Sequence, residues 1–486
     1  MRDRLSPLDA SFLSLERGTT PAHIGSLSIF TPPRAGFGYD ALVSHIEQRL
    51  PYVPRYRQKV RDLPAGLARP VWVDDNDFDI SYHVRRSALP SPGDDAQLHE
   101  LVSRLLSRRL DRARPLWELY LVEGLAKGRV AIISKTHQAV VDGAQALELG
   151  QVILDDTRKP GVQRTGLWMP AAEPAGTRLL AEAAVEVLRS PTEVVDVVRW
   201  VARDAANAVS TVTEAATTAA AMVRRLARPA PPSPLNVAVS RQRRFATART
   251  QLADYRQVRA ATGASVNDVV LAVVSGALRS WLTSRNEPVT PDTTVRALVP
   301  LAVASDPEDT GAEHEDLSSF LVDLPVGAAD PLVRVGQLRE ATREHASSTP
   351  LVGARALTQL SGFAPPTLHA MGARLAGTLA RRSFNVLVTN VPGPQYPLYA
   401  DGARLREIYS VVPLMPNQAL TVGVTSYDGS VLYGLNADRD ALADVDQLAG
   451  FLEQSLAELV AAVRAAPPRA PGRRSGPGSP ATKETS

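Results

Sequence analysis

The spacing of hydrophobic and polar positions changes along the chain, and the changes mark out its elements. Apolar residues recur at helical spacing from Ala41 to Leu50 and again from His99 to Leu110, which predicts two amphipathic helices. Leu116 to Glu123 (LWELYLVE) and Arg129 to Ser134 (RVAIIS) are short apolar runs and read as strands. After Asp142 the segment AQALELGQVIL returns to a helical pattern. Residues 1–165 therefore alternate strand-like and helix-like stretches, the mark of an α/β fold class.

The middle of the chain breaks this alternation. Pro170 to Gly176 is turn-rich, and Thr177 to Arg228 is a long Ala- and Val-rich stretch with charges spaced through it. Ala205 to Val223 is mostly Ala and Thr, with Glu214 inside; it is too polar to span a bilayer and reads as an amphipathic helical linker. The run PAPPSP, Pro229 to Pro234, ends it, because consecutive prolines cannot continue a helix. The organisation expected is an N-terminal domain over 1–170, a helical linker over 171–234, a C-terminal domain over 235–466 and a disordered tail over 467–486. No internal repeat is visible.

Composition narrows the chemistry. With 486 residues and 44% hydrophobic content the chain can build more than one core. A net charge of +3 gives no basic stripe, which argues against nucleic acid as a partner. The absence of cysteine excludes disulfides, thiolate metal sites and a thiol nucleophile, so any nucleophilic catalysis by a side chain runs through oxygen or nitrogen. The N-terminal stretch lacks the apolar run of a signal peptide, and no window supplies the roughly 20 apolar residues of a membrane span. The expectation is a cytoplasmic protein with at most peripheral membrane contact.

The segment richest in candidate chemistry is KTHQAVVDG, Lys135 to Gly143, expected as a strand-to-helix loop. His137 offers a base and Asp142 a carboxylate to orient it. The competing reading is structural: Asp142 with Gln145 resembles a capping box, His137 is a packed residue at a strand end, and Gly143 eases the turn. Similar pairs of readings apply elsewhere. Trp117 is core or site. Asn267 donates toward a reacting oxygen, or caps a helix from Asp268 to Leu278. Asn390 to Pro394 (NVPGP) closes a strand, with Gly393 permitting a positive φ.

These segments together resemble the wax ester synthase/diacylglycerol acyltransferase family, which carries HHxxxDG where this chain has His137, Gln138, Ala139, Val140, Val141, Asp142 and Gly143. LSPLDASFLSLE (Leu5 to Glu16), followed by Pro21, His23 and Gly25, is similar to the family's N-terminal signature. FDISYHVR (Phe78 to Arg85), RPLWELYLVEGL (Arg114 to Leu125), SVNDVVLAVVSGALR (Ser265 to Arg279), NVPGP and SYDGSVLYGLNAD (Ser426 to Asp438) continue it in order, over about residues 4–463.

The resemblance implies two chloramphenicol acetyltransferase-like domains meeting at an active-site tunnel. Acyl-CoA would enter as a substrate, with no separate cofactor or metal, and diacylglycerol or a long-chain alcohol would be the acceptor. Contact with a membrane surface or lipid droplet is part of the same expectation. It implies catalytic roles for His137 and Asp142, and substrate contacts at Gly143, Trp117, Asn267, Asp268, Asn390 and Gly393.

Two departures stand out. The working histidine of the family lies four positions before the aspartate, and here that position is Gln138, whose amide cannot act as a base. Between Arg296 and Pro325, Ala304 or Ser305 stands where an arginine is expected, and Glu315-Asp316 replaces Gly-Asn. The first departure leaves a second reading open, a catalytically impaired member that binds acyl-CoA or lipid or acts as a scaffold. A peptide-synthesis condensation domain shares the motif logic, but no carrier module accompanies it.

Overall fold

A computed structural model describes residues 4–16, 18–34, 36–63, 69–141, 152–158, 168–173, 229–302, 317–348 and 383–466. The expected linker helix over 174–228, the tail over 467–486, Asp142, Gly143, Ala304, Ser305 and the Glu315-Asp316 pair lie outside the described residues.

The first half begins with helix α1 (Pro7–Leu15). Ser6 caps it in a reciprocal box with Asp9, and Pro7 sits at its first position, where a missing N–H costs no helical bond. Strand β1 (His23–Thr31) and helix α2 (Tyr39–Arg49) follow. A two-stranded ribbon, β2 (Gln58–Arg61) with β3 (Val71–Asp74), leads to the short α3 (Ile80–His83) and to β4 (Val84–Ala88). Helix α4 (Asp95–Leu106) starts at an Asp94–Gln97 capping box, four residues earlier than hydrophobic spacing alone predicts. Strand β5 (Trp117–Glu123) matches expectation, whereas β6 (Val130–His137) runs through Lys135, Thr136 and His137 before the short α5 (Gln138–Val141) begins.

The second half holds β7 (Arg243–Gln251), α6 (Leu252–Thr262), α7 (Val266–Ser284), β8 (Val295–Ala302), β9 (Leu317–Leu324) and α8 (Pro331–Ser348). It continues with β10 (Val386–Pro392), β11 (Tyr399–Ala400), β12 (Ala403–Val411), β13 (Leu420–Tyr427), β14 (Ser430–Asp438) and α9 (Val445–Ala465).

Two six-stranded mixed sheets result, in the orders β11-β12-β1-β6-β5-β4 and β7-β14-β13-β10-β8-β9. One strand pair in the first sheet (β4 with β5) and two in the second (β10 with β8 and with β13) are parallel. Two main cores form, and Phe245, Tyr427 and Leu432 of the second sheet join the first core. Leu98, Leu101 and Leu105 of α4 lie against the first, and Val270, Val273, Leu278 and Leu452 of α7 and α9 against the second. All eight residues of β6 and all nine of β14 are buried, the expected state of inner strands covered on both faces.

The division at 235 does not separate the sheets. Strands β11 and β12 belong to the second half in sequence but form the edge of the first sheet, with β12 antiparallel to β1 in the register Ser26↔Ser410. The crossing strand presses against its parent sheet: a Cβ on Gly434 would stand 2.2 Å from the Ser410 carbonyl oxygen, and one on Gly423 2.7 Å from it. Only glycine lets backbones approach so closely. Ser410 Oγ and Thr425 Oγ1 share a hydrogen bond of 2.9 Å across the same seam.

Among the described residues no single helix is long and apolar enough to cross a membrane. The pair α6–α7 meets that test only jointly and bends by 105°, and Val269 to Val274 of α7 are buried in the second core.

Candidate active site

Lys135–Gly143 is not a loop as far as Val141: the strand passes directly into a helix. His137 N–H donates to Leu116 O (3.0 Å), and Gln138 N–H donates to Ala22 O (2.9 Å), so the turn is pinned between β5 and the residue preceding β1. The His137 side chain is 1% exposed. Its Nδ1 accepts from the Ala139 N–H at 3.1 Å. An accepting nitrogen carries no proton, so the neutral ring holds its proton on Nε2, which has no partner among the described residues. Burial pushes the ring's pKa down to about 4; Glu16 opposes that shift and Arg112 reinforces it. As held, His137 presents an N–H and not a lone pair. Gln138 is half-buried at the start of α5. Asp142 and Gly143 lie outside the described residues, so their expected contacts are not on view.

His23 faces His137 across the β1–β6 ladder, residue for residue. Directly paired residues point to the same side of a sheet. Its Nε2 lies 2.9 Å from Leu106 O, and a carbonyl can only accept, so Nε2 carries the proton and Nδ1 holds the lone pair. Nδ1 is buried and has no partner among the described residues. Burial, then the nearby Lys135 charge, hold this ring's pKa well below the usual histidine value. Sequence reading placed His23 only within a signature; its pairing with His137 joins positions 114 residues apart and is invisible to local pattern.

The same face carries a buried charge pair. Glu118 and Lys135 are register partners on β5 and β6. Lys135 Nζ lies 3.6 Å from the carboxylate, Tyr120 Oη donates to it at 2.8 Å, and Arg85 reaches it at 3.3 Å. Burial lowers the Lys135 pKa to about 8 against the opposing pull of Glu118.

Trp117 resolves as core. It is 1% exposed, Nε1–H donates to Tyr56 O at 2.7 Å, and its ring stacks on His83 at 4.5 Å. His83 in turn donates from Nδ1 to Trp117 O at 2.8 Å and stacks on Phe78. Burial pushes His83 down to about 4.

In the second half, two expected residues come together: Asn390 Nδ2 donates to Asn267 Oδ1 at 3.2 Å. Asn267 is not the helix cap. Ser265 is, with Asp268 completing the box at 3.1 and 2.7 Å. The other Asp268 oxygen accepts from Thr342 Oγ1 at 2.7 Å, tying α7 to α8. Asp268, expected to contact substrate, is thus occupied by cap and tether. Gly393 does not adopt a positive φ. A Cβ there would stand 2.4 Å from Ser426 O, so close approach explains the glycine, and the expected φ is corrected.

Between the halves a narrow cleft of about 230 Å³, open mouth included, is lined by His23 and Leu106 from one side, Arg243 and Asn436 from the other, and Pro413 and Leu414 after the crossing strand. Arg243 is fastened across the seam by donating to Thr19 O, and to Ser240 O at 2.8 Å. Burial brings its pKa down to about 10, against the pull of Asp438.

Comparison with known proteins places this geometry. Residues 5–270 match the wax ester synthase/diacylglycerol acyltransferase catalytic domain, and residues 316–460 match the C-terminal domain of the same family. The chain is 51% identical over 261 residues to the probable diacylglycerol O-acyltransferase tgs3 of Mycobacterium tuberculosis, covering 54% of this chain and 96% of that protein. It is 35% identical over 474 residues to the probable diacylglycerol O-acyltransferase tgs2 of the same organism, covering 95% of this chain and 99% of the relative. The solved wax ester synthase/diacylglycerol acyltransferase from Marinobacter aquaeolei VT8 superposes with a TM-score of 0.68 at 28% identity, covering 95% of this chain and 100% of that one. The starter condensation domain of rhizomide synthetase, at 14% identity and a TM-score of 0.55, covers 96% of this chain and 95% of its own and shares the fold. The α/β fold of chloramphenicol acetyltransferase type, expected from the resemblance, is thereby borne out.

Proposed function

This chain belongs to the wax ester synthase/diacylglycerol acyltransferase family, and we propose that it makes triacylglycerol by transferring a long-chain acyl group from acyl-CoA to diacylglycerol, with a long-chain alcohol as a second acceptor. The observation that carries this reading is the likeness of 95% of the chain to a relative named for diacylglycerol acylation. A likeness of that extent favours an enzyme over a lipid-binding member without activity.

The acceptor hydroxyl attacks the thioester carbonyl, the C–S bond breaks, and CoA leaves as the thiol. No covalent enzyme intermediate is required, in keeping with a chain that lacks cysteine. The His137 Nε2–H, held by the Ala139 contact, suits a donor to the oxygen that becomes negative at the carbonyl. Asp142, which lies outside the described residues, keeps its expected role as an orienting carboxylate. The reaction needs no cofactor besides its substrates. Diacylglycerol resides in lipid, so the proposed enzyme works from the cytosol against a membrane or lipid-inclusion surface.

The test uses purified protein with radiolabelled long-chain acyl-CoA and diacylglycerol, then hexadecanol. Wild type should form labelled triacylglycerol, and His137→Ala should lower kcat by about 10²–10³-fold, the loss typical of an oxyanion donor. A wild type that is inert while Gln138→His is active would refute the reading.

A further inference from the structure

We propose that His23, through Nδ1, is the general base that takes the acceptor's hydroxyl proton in this chain, where Gln138 stands in place of the family's histidine. This rests on the acyltransferase reading above and goes one step past it. A base for this reaction needs an unprotonated nitrogen, a fixed orientation and access to the space between the halves.

His137 fails the first requirement, because its Nδ1 lone pair is taken by the Ala139 N–H. His83 meets the first two, with Nδ1–H on Trp117 O and Nε2 unpartnered, but its ring is stacked between Phe78 and Trp117 at 0% exposure and does not line the cleft. His23 meets the first two and, unlike His83 and His137, lines the cleft. The Leu106 carbonyl fixes its proton on Nε2, as a carbonyl or carboxylate does for many working imidazoles. Nδ1 is left as an unpartnered acceptor on a side chain 4% exposed, and the residue lines the cleft. It also adjoins the altered motif, since the preceding residue, Ala22, accepts the Gln138 N–H.

The placement divides the work between two paired rings. On β1, His23 offers a lone pair; opposite it on β6, His137 offers an N–H. One suits the hydroxyl that loses a proton and the other the carbonyl oxygen that gains charge. In the step, the hydroxyl proton moves to His23 Nδ1, the acceptor oxygen bonds to the thioester carbon, and the C–S bond breaks. The departing thiolate recovers the proton from the His23 imidazolium, so the ring returns to its starting state. Burial first, then the charges of Lys135 and Arg243, keep it unprotonated between turnovers.

His23→Gln separates base from scaffold, because its amide N–H can still donate to Leu106 O while no basic nitrogen remains. Full-length protein with long-chain acyl-CoA and diacylglycerol should show kcat lowered about 10²–10⁴-fold in this variant, with KM within threefold and an unchanged melting temperature. In wild type, ¹⁵N-histidine NMR at neutral pH should report His23 with Nδ1 bare and Nε2 protonated, a readout that needs neither turnover nor a folded variant. An active wild type with an equally active His23→Gln, or a protonated Nδ1, would overturn the base alone. A wild type that acylates neither acceptor would overturn the acyltransferase reading and this base with it.

Discussion

Asn390 Nδ2 donates to Asn267 Oδ1 at 3.2 Å, joining the C-terminal end of β10 to the first turn of α7. The two residues are 123 positions apart, and each sits in a segment that resembles the acyltransferase family. Their contact is a partly buried bond between neutral amides, a class worth about 0.5–1.5 kcal/mol net. In a double-mutant cycle on Asn267→Ala and Asn390→Ala, urea denaturation should give a coupling energy in that range. Additive single effects would mean the pair does not hold the helix to the strand.

The seam between the halves depends on glycine at 434. Adding a methyl group 2.2 Å from the Ser410 carbonyl oxygen forces backbone to move, and overpacking of this kind costs about 1–3 kcal/mol. Gly434→Ala should lower the urea midpoint accordingly and reduce acyl transfer, because β12 carries the edge of the cleft. Gly450→Ala is the matched control. It lies exposed in α9 with no atom within 4 Å of the added carbon, and should stabilise by up to about 1 kcal/mol.

Acid should weaken the fold through His83 and His137. Unfolded, each ring takes a proton near 6.5; folded, burial delays this to about 4. Between those values the unfolded chain binds more protons, so stability falls as pH drops from 6.5 to 4 and stays lost below. The loss is on the order of 3 kcal/mol per ring. Urea midpoints measured from pH 7 to pH 4.5 should fall, and less steeply in His83→Gln.

Glu118 and Lys135 form a pair whose members should behave unequally. Glu118→Ala leaves a buried ammonium without its carboxylate, a loss of about 3–5 kcal/mol. Lys135→Met replaces the ammonium with an apolar chain of similar length, leaves Glu118 with Arg85 and Tyr120, and should cost far less. Thermal melts of the two variants would separate these outcomes; equal destabilisation would contradict the pairing.

Several features were legible without coordinates because their causes are local. The α/β alternation, strand β5, the body of α4 and the proline stop after the middle segment follow from residue spacing and backbone chemistry. The ordered segments identified the family, and the substitution at Gln138 could be read directly. The misplacements share another origin. The start of α4 was missed because an Asp94–Gln97 box, and not an apolar residue, opens it. The cap reading of Asn267 fails because Ser265 and Asp268 show their reciprocal bonds only once folded.

The sequence by itself determined which side chains are present for acyl transfer: no thiol, an amide at the expected base position, and histidines at 23 and 137. Tertiary structure alone decided what those histidines can do. Whether an imidazole offers a lone pair or an N–H depends on which backbone group meets its other nitrogen, Leu106 O for His23 and Ala139 N–H for His137. The first of those contacts spans 83 positions, so no period in the sequence records it. The entry of β12 into the first sheet is likewise a matter of register between distant strands, fixed by side-chain packing and by the glycines at 423 and 434 that let the Ser410 backbone approach.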